Sequence, residues 1–297
     1  MAYKSHHTDD GRIPLLLYSG GMDSTLMLAL ETYEGKLVDT LYVDGSQSVD
    51  KIRMEFKARA DAMQALEDHY QKSVVRFSHE HRVPRPMNTD HQGFSQLLPW
   101  FAAAMDYVNP NQHSAVLMGY VAGDQMVSQL HHIETAWNAL SMAMSQTIVP
   151  IKFPLKFATK REIYESLTTH YPMLKDHYWY CENPAFKLVD ERATTSLVPC
   201  QRCASCMTHN ATLYVIQQRD EAHFTRAHNH AASRLLTSYS GSLSKALEQH
   251  AESEQQALQD MKDAGPGWRQ QYLDFSTLGK KDRTESDETL AELVKAA

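Results

Sequence analysis

Two groups of residues in this sequence have the types and the spacing that binding chemistry requires. The first is the run SGGMDS at 19–24, which follows the apolar segment 13–17 and precedes a stretch compatible with a helix. Gly20 and Gly21 have no Cβ, so the backbone can turn sharply and approach a ligand closely. A helix N-terminus favours an anion, so the pattern predicts a strand–loop–helix unit that holds a phosphate or pyrophosphate. It lacks the Gly-Lys-Ser/Thr ending of a Walker loop. The polar side chains that surround the predicted amides are Ser19, Asp23 and Ser24.

The second group comprises the four cysteines of the chain, all of which fall between positions 181 and 206. In a reducing compartment, such a cluster indicates a metal site more than disulfides. Three thiolates spaced C-x-x-C-x-x-C can converge from a tight turn, and the fourth completes a tetrahedron once the intervening segment folds back. A structural zinc site is predicted, with an iron–sulfur cluster as the alternative. The predicted ligands are Cys181, Cys200, Cys203 and Cys206; His209 as a replacement ligand is disfavoured.

Alternating strand and helix patterns must position these residues. Apolar runs predict strands at 13–17, 36–43, 73–77, 115–118 and 147–153, and helical spacing predicts helices at 23–33, 49–70, 94–108, 127–144 and 159–170. This alternation predicts an α/β fold with a doubly wound parallel sheet covered on both faces. Ligands collect at the carboxyl ends of such strands. The loops at 19–24, 44–46 and 119–124 are expected to meet there.

The chain is divided into a predicted α/β domain at 12–175, a cysteine segment at 176–219 and a helical, partly flexible extension at 220–297. A hydrophobic fraction of 42% and a charged fraction of 22% in 297 residues are typical of a soluble globular protein. No apolar run is long enough for a membrane span, and the polar N-terminus lacks a signal-peptide core. A cytoplasmic location is expected, and the net charge of −7 disfavours non-specific binding to nucleic acid.

The loop and the cysteine spacing together resemble the 7-cyano-7-deazaguanine synthases, which belong to the PP-loop ATP pyrophosphatase superfamily. The resemblance extends from about residue 13 to about residue 213. It implies an adenine nucleotide alpha-hydrolase-like fold and a zinc-binding, commonly homodimeric C–N ligase. It also implies that the enzyme activates a carboxylate as its adenylate and uses ammonia to convert 7-carboxy-7-deazaguanine into the nitrile. Such chemistry belongs to queuosine biosynthesis and related 7-deazapurine modification of nucleic acids. A divergent member of the family is expected in a gene cluster for defence or nucleic-acid modification.

The resemblance also assigns roles by position. Lys160, at the start of the helix after the last core strand, would neutralise charge on the pyrophosphate leaving group together with Mg²⁺. Asp23 and Ser24 would share the catalytic work with Lys160. Gly119 and Asp124 match the loop after the fourth strand. The ATP phosphates would be held by Ser19, Gly20, Gly21, Asp23 and Ser24.

Other features depart from the family. After Asp124 the sequence is QMVSQLHH, without the Tyr-Pro-Asp stretch of the family, and DHQGFS at 90–95 replaces its Pro-Gly-Arg-Asn. The 18 residues between Cys181 and Cys200 exceed the usual spacing. The resemblance therefore supports the ATP half of the reaction more than the 7-deazapurine half. Two alternatives are another PP-loop adenylating enzyme, such as a tRNA thiolation or amidation enzyme with an iron–sulfur cluster, and a non-catalytic nucleotide-binding homologue.

Several further residues have more than one interpretation. His131, His132 and Glu134 lie near the predicted mouth with Asp124, where histidines can transfer protons or contact a purine, although surface helix positions are the commoner outcome. The helical spacing of the aromatic residues Trp100, Phe101 and Trp137 indicates packing in the core more than stacking on a base. The extension at 220–297 is expected to serve dimerisation, docking of a partner protein or a lid.

Overall fold

The computed structural model describes residues 5–45, 48–83, 97–122, 127–145, 147–188 and 195–219. Within them the chain forms an α/β fold around a five-stranded sheet in which each neighbouring pair of strands is parallel. The strand order is β3-β2-β1-β4-β5, which confirms the predicted doubly wound arrangement in Rossmann-like form. The strands are β1 (Ile13–Leu17), β2 (Val38–Asp44), β3 (Val75–Arg82), β4 (His113–Leu117) and β5 (Ile151–Lys152).

Six α-helices accompany the strands in the described part of the chain. The predicted helices are present, with ends that differ by a few residues. The second half of the Cys-containing segment forms the last helix, and the predicted extension at 220–297 lies outside the described residues. The helices are α1 (Met22–Glu31), α2 (Val49–Tyr70), α3 (Leu97–Tyr107), α4 (Leu130–Ser145), α5 (Lys160–His170) and α6 (Ala204–Arg219).

The central strand β1 supplies side chains to both faces of the sheet. Leu16 packs into a buried cluster with α1, α2 and α5, whereas its neighbour Leu15 packs into a second cluster with α3 and α4. Successive side chains of a strand point to opposite faces, and a strand buried on both faces is a continuous apolar run. The sequence of β1, IPLLL, has this character. The register pairs Leu16 with Thr40 of β2 and with Leu117 of β4.

The ends of two strands differ from those that the hydrophobic pattern predicts. The predicted strand at 73–77 ends too early, since β3 continues to Arg82 and pairs in parallel with β2. Polar residues at the exposed edge of the sheet hide this strand from a hydrophobicity pattern. The predicted strand at 147–153 is too long, because β5 comprises only Ile151 and Lys152. Proline has no N–H to donate, and Pro150 and Pro154 flank this short pairing.

A two-stranded antiparallel hairpin, absent from the sequence prediction, lies between the first and second cysteines. Its strands are β6 (Ala185–Leu188) and β7 (Thr195–Val198), and Ala185 pairs with Val198. The hairpin reverses the chain and returns it to the neighbourhood of Cys181, so the long 18-residue spacing is compatible with one compact cysteine group. In the described ranges no helix combines the length and the apolar character that crossing a bilayer requires.

Candidate functional site

The loop between β1 and α1 lies at the carboxyl end of the sheet. The chain order β1-β2-β3 runs to one side of β1, and the crossover to β4 runs to the other. The β1–β4 boundary is therefore the topological switch point, where ligands bind in open α/β sheets. Gly21 is the N-cap residue of α1, and it makes no side-chain capping hydrogen bond. The first turn of α1 therefore presents its amides without a side-chain cap, as an anion site requires.

Two serines of the loop form a short hydroxyl chain. Ser19 Oγ lies 3.1 Å from Ser24 Oγ and accepts a hydrogen bond of 3.2 Å from the amide of Gly21. Ser24 Oγ also donates to the carbonyl of Gly21 at 3.1 Å. These contacts fix the loop shape, and both serines line the cavity. The predicted assignment of Ser19 and Ser24 to an anion site is thus compatible with their position.

Gly20 makes the turn but faces away from the cavity. Its φ angle is +80°, and a Cβ there would lie 2.9 Å from the carbonyl oxygen of Glu55 and 2.8 Å from Cγ of Arg59 in α2. Only glycine fits this conformation and this close approach. Its own carbonyl accepts a 2.8 Å hydrogen bond from the amide of Trp179. Gly20 therefore shapes the loop between α2 and the cysteine segment.

Lys160 and Asp23 meet at the same end of the sheet. The Lys160 ammonium donates a hydrogen bond to Asp23 Oδ2, while Asp23 Oδ1 is buried and has no hydrogen-bond partner in the described parts of the chain. Lys160 is the first residue of α5, and the capping box formed by Thr159 and Glu162 fixes this helix start. The sequence TKRE thus fixes the position of the lysine relative to the loop. Both residues line the cavity.

The loop after β4 packs directly on the start of α1. A Cβ at Gly119 would lie 3.3 Å from Cε of Met27, 3.5 Å from Cβ of Asp23 and 3.5 Å from the amide of Ser24. The predicted proximity of Gly119 to the loop at 19–24 is therefore present in the fold. Asp124, the other residue predicted here, lies outside the described residues.

A cavity of about 410 Å³ occupies the switch point. This volume lies within the usual range for a small-molecule site. Its polar lining includes the loop serines, Asp23 and Lys160. Its apolar lining includes Leu41, Val43, Trp100 and Met118. The cavity therefore combines polar groups compatible with an anion and apolar side chains suited to a flat ring.

The predicted aromatic residues divide between core and cavity. Phe101 and Trp137 are 3% and 0% exposed and contact each other at a ring-centroid distance of 5.3 Å, as the core interpretation predicts. Trp100 is only partly buried and lines the cavity. His131 and His132 are exposed at the beginning of α4 and contact each other, with no place among the described cavity-lining residues.

Sequence reasoning missed a polar group at the rim of the cavity. Tyr42 Oη donates a 2.6 Å hydrogen bond to Glu55, and burial followed by the charge of Glu55 raises the pKa of Tyr42. Lys51 forms ion pairs with Glu55 and with Glu182. Glu182 and Tyr42 line the cavity. No local motif marks these residues, because they come from three separate elements that only the tertiary fold brings together.

The four predicted metal ligands do converge. Their sulfur atoms all lie within 4.8 Å of one another. Two of the separations are 3.9 Å, between Cys200 and Cys206, and 4.0 Å, between Cys203 and Cys181. A tetrahedral ion with metal–sulfur bonds of about 2.3 Å places its sulfurs about 3.8 Å apart. The geometry therefore fits a single four-coordinate ion such as zinc.

Backbone amides favour a thiolate at Cys200, whereas burial raises the pKa of Cys181 and of Cys206. The amides of Cys200, Cys203 and Cys206 donate to the sulfurs of Cys181, Cys200 and Cys203 at 3.2, 3.3 and 3.4 Å. Burial opposes ionisation of Cys200, but amide hydrogen bonds outweigh it and lower the pKa of this thiol to about 7. Thiolates are the form that binds metal. His209 is not among the converging ligands; it stacks on Tyr180 at a ring-centroid distance of 3.9 Å, and burial lowers its pKa to about 4.

Comparison of the whole chain with protein-family models and with curated proteins gives no match in either case. The class of protein is therefore defined by the fold and by the geometry of the site. The chain is a Rossmann-like α/β protein with a cavity at the topological switch point and a group of four cysteines able to bind a metal ion.

Proposed function

We propose that this protein is an ATP-dependent ligase of the PP-loop kind, which activates a carboxylate as its adenylate. The acceptor proposed is 7-carboxy-7-deazaguanine or a related 7-deazapurine carboxylate, with ammonia as the second substrate. One observation carries the proposal: Lys160 lies against Asp23 at the uncapped N-terminus of α1, inside the cavity at the sheet's switch point. A cation, free helix amides and a carboxylate at one place are what a magnesium–triphosphate requires.

Charge complementarity supports this assignment. The helix N-terminus and Lys160 both favour the negative phosphates. The unpartnered Asp23 Oδ1 is a hard oxygen ligand of the kind that suits Mg²⁺. On binding, the ammonium of Lys160 would exchange Asp23 for phosphate oxygens, and Asp23 would turn to the metal. The existing ion pair thus holds both groups in place before the nucleotide arrives.

The proposed reaction assigns a step to each of these groups. A carboxylate oxygen of the acceptor attacks the α-phosphorus, the bond to the bridging oxygen breaks, and pyrophosphate leaves with the electron pair. Lys160 and the helix amides stabilise the charge that develops on the leaving group. Electrostatic stabilisation of this kind is usually the largest single contribution to catalysis. Ammonia then attacks the activated carbonyl carbon, and AMP leaves. Loss of water from the resulting amide gives the nitrile.

The apolar wall of the cavity supports a heterocyclic ligand. Trp100 presents an aromatic ring beside Leu41 and Val43, and aromatic rings bind purine-like groups by stacking. The choice of a 7-deazapurine rests on the family resemblance, from which the sequence departs at 90–95, outside the described residues, and after Asp124, where residues 127–132 are described. The sulfur separations of 3.9 and 4.0 Å favour a single zinc ion, since the irons of a cluster would hold the thiolates farther apart. This favours the ligase over an iron–sulfur thiolation enzyme.

The test is incubation of the full chain with ATP, Mg²⁺, ammonium and 7-carboxy-7-deazaguanine, followed by mass spectrometry. The proposal predicts the amide and nitrile together with pyrophosphate. If pyrophosphate is released only with a different carboxylate, the protein adenylates carboxylates but its acceptor is not 7-carboxy-7-deazaguanine. ATP binding without pyrophosphate release, for any carboxylate of a panel, would support the non-catalytic alternative.

A matched pair of lysine variants links the activity to the cavity. Lys160→Met removes the cation beside Asp23. Lys156→Met removes a lysine of the same segment whose ammonium instead lies 4.8 Å from the ring of Phe157. The proposal predicts a loss of pyrophosphate release in the first variant only. Equal activity in both variants would contradict the role of Lys160.

A further inference from the structure

The cysteine segment and the phosphate loop are joined directly by one residue. The amide of Trp179 donates a 2.8 Å hydrogen bond to the carbonyl of Gly20. Its indole Nε1–H donates a second 2.8 Å hydrogen bond to the carbonyl of Cys181. Trp179 is 9% exposed, so both bonds are shielded from water. The residue therefore connects the loop of the cavity with one of the four converging thiols.

The same region is closely packed. Trp179 shares a buried cluster with Cys181, Cys206 and Ala58 of α2. Gly20 lies against α2 on its other side, since a Cβ there would approach the carbonyl oxygen of Glu55 to 2.9 Å. The loop is thus held between α2 and Trp179. Because packed interiors leave few voids, we expect a displacement of Trp179 to move the loop as well.

A second connection runs through the residue after Cys181. Glu182 lines the cavity, and its carboxylate forms an ion pair with Lys51. Ser205, which lies between Cys203 and Cys206, donates a 3.4 Å hydrogen bond to the same carboxylate. The position of this cavity wall therefore depends on both halves of the cysteine segment.

We infer that Trp179 is a positioning residue that couples metal binding by the four cysteines to nucleotide binding by the loop. This inference rests on the proposed function, since it requires that the cavity bind ATP. An ion that joins the four sulfurs fixes Cys181, and thereby holds Trp179 against Gly20 in the geometry that the phosphates need. Linkage makes the effect reciprocal: a bound nucleotide raises the affinity of the cysteines for metal by the same factor.

The experiment measures zinc affinity of the full chain by competition with a chromophoric chelator, with and without a non-hydrolysable ATP analogue. We expect the analogue to tighten zinc binding by at least about 5-fold, the lower end of usual coupling factors. Trp179→Phe keeps an aromatic ring but loses the hydrogen bond to Cys181. We expect it to reduce the coupling factor to about 1–2 and to weaken analogue binding to the zinc-loaded chain, because the connection is lost.

Trp137→Phe is the matched control. Trp137 is also buried, and its Nε1–H donates a 2.7 Å hydrogen bond to the carbonyl of Val149, in the cluster on the other face of the sheet. We expect this variant to lose stability like Trp179→Phe but to keep the full coupling factor. Zinc affinity that does not respond to the analogue, or an equal coupling factor in the two variants, would overturn the inference while the nucleotide site stands. An analogue that does not bind the wild-type protein would instead overturn the proposed function and the inference with it.

Discussion

The ammonium of Lys160, at the first residue of α5, forms an ion pair with the carboxylate of Asp23 in the first turn of α1. Two helices that follow different strands thus deliver opposite charges to one point beside the switch-point loop. The side chains are 28% and 20% exposed. Partly exposed ion pairs add little to stability. We therefore expect the ion pair to contribute to ligand binding more than to the stability of the fold.

Asp23→Ala is expected to reduce pyrophosphate release by roughly 10²- to 10³-fold, the loss usual when one preorganised electrostatic group is removed from a site. The melting temperature is expected to change little, because the pair is partly exposed. Asp10→Ala is the control, since Asp10 forms a 2.9 Å ion pair with Arg12 that is also partly exposed. Steady-state pyrophosphate assays and thermal melts compare the variants. Unchanged turnover in Asp23→Ala would refute the assignment.

Gly20→Ala is expected to destabilise the fold and to weaken nucleotide binding. Gly20 and Gly11 have φ angles of +80° and +84°, so alanine at either position incurs a backbone cost of about 1–2 kcal/mol. A Cβ at Gly20 also collides with the backbone of Glu55, whereas a Cβ at Gly11 has no atom within 4 Å. Urea unfolding is expected to show a larger loss for Gly20→Ala, and titration with an ATP analogue a loss of affinity in that variant alone. Equal effects in the two variants would contradict the close contact.

Cys203→Ser is expected to lose zinc and to lower the free energy of unfolding by more than about 3 kcal/mol, since metal loss is one of the few mechanisms with effects this large. Serine lacks the thiolate that a tetrahedral site requires. Thr208→Ala, an exposed position on α6, is expected to keep one zinc per chain. Atomic emission spectroscopy and denaturant unfolding give the two readouts. Normal metal content in Cys203→Ser would remove this residue from the ligand set.

Asp39 lies at the opposite end of the sheet. We expect its carboxylate to stabilise the fold at neutral pH and to lose this effect in acid. It is 1% exposed and accepts hydrogen bonds from Arg76 and His113. Burial opposes its ionisation, but these bonds lower its pKa from 3.8 to about 2. A lowered folded-state pKa stabilises the fold above the unfolded-state pKa, and this contribution is lost as the pH falls towards 2. The shift corresponds to about 2 kcal/mol.

Asp39→Asn isolates that contribution. The difference in unfolding free energy between wild type and variant is expected to be largest at pH 5 and to shrink by about 2 kcal/mol as the pH falls to 2, because protonation removes the charge from the wild type. Guanidinium titrations at each pH provide the measurement. A difference that stays constant over this interval would show that the charge of Asp39 does not stabilise the fold.

The parts of the site that local chemistry determines were predictable from sequence. Gly20 and Gly21 mark the turn, the box formed by Thr159 and Glu162 marks the start of α5, and the spacing of the last three cysteines marks a metal-binding turn. Each depends on residues a few positions apart. Fold class followed from the alternation of apolar runs, because a strand such as β1 is buried on both faces and has a continuous apolar sequence.

The parts that tertiary contacts create were not predictable in this way. Trp179 and Glu182 belong to no motif, and they lie beside the loop at 19–24 and the cavity because the segment before the hairpin returns there. The long spacing after Cys181 became understandable only when β6 and β7 were seen to reverse the chain. Trp100 and Phe101 are adjacent on one helix, yet only the first borders the cavity. Helical periodicity alone does not separate such neighbours.

We propose that the amides at the start of α1, with Lys160 and Asp23, hold the phosphates of ATP for cleavage between the α and β phosphorus atoms. The most direct measurement identifies the nucleotide products by ion-exchange chromatography after incubation of the full chain with ATP, Mg²⁺, ammonium and the carboxylate acceptor. We expect AMP and pyrophosphate in equal amounts, formed only when the acceptor is present. ADP and orthophosphate as the products, or ATP left intact with every carboxylate tested, would contradict it.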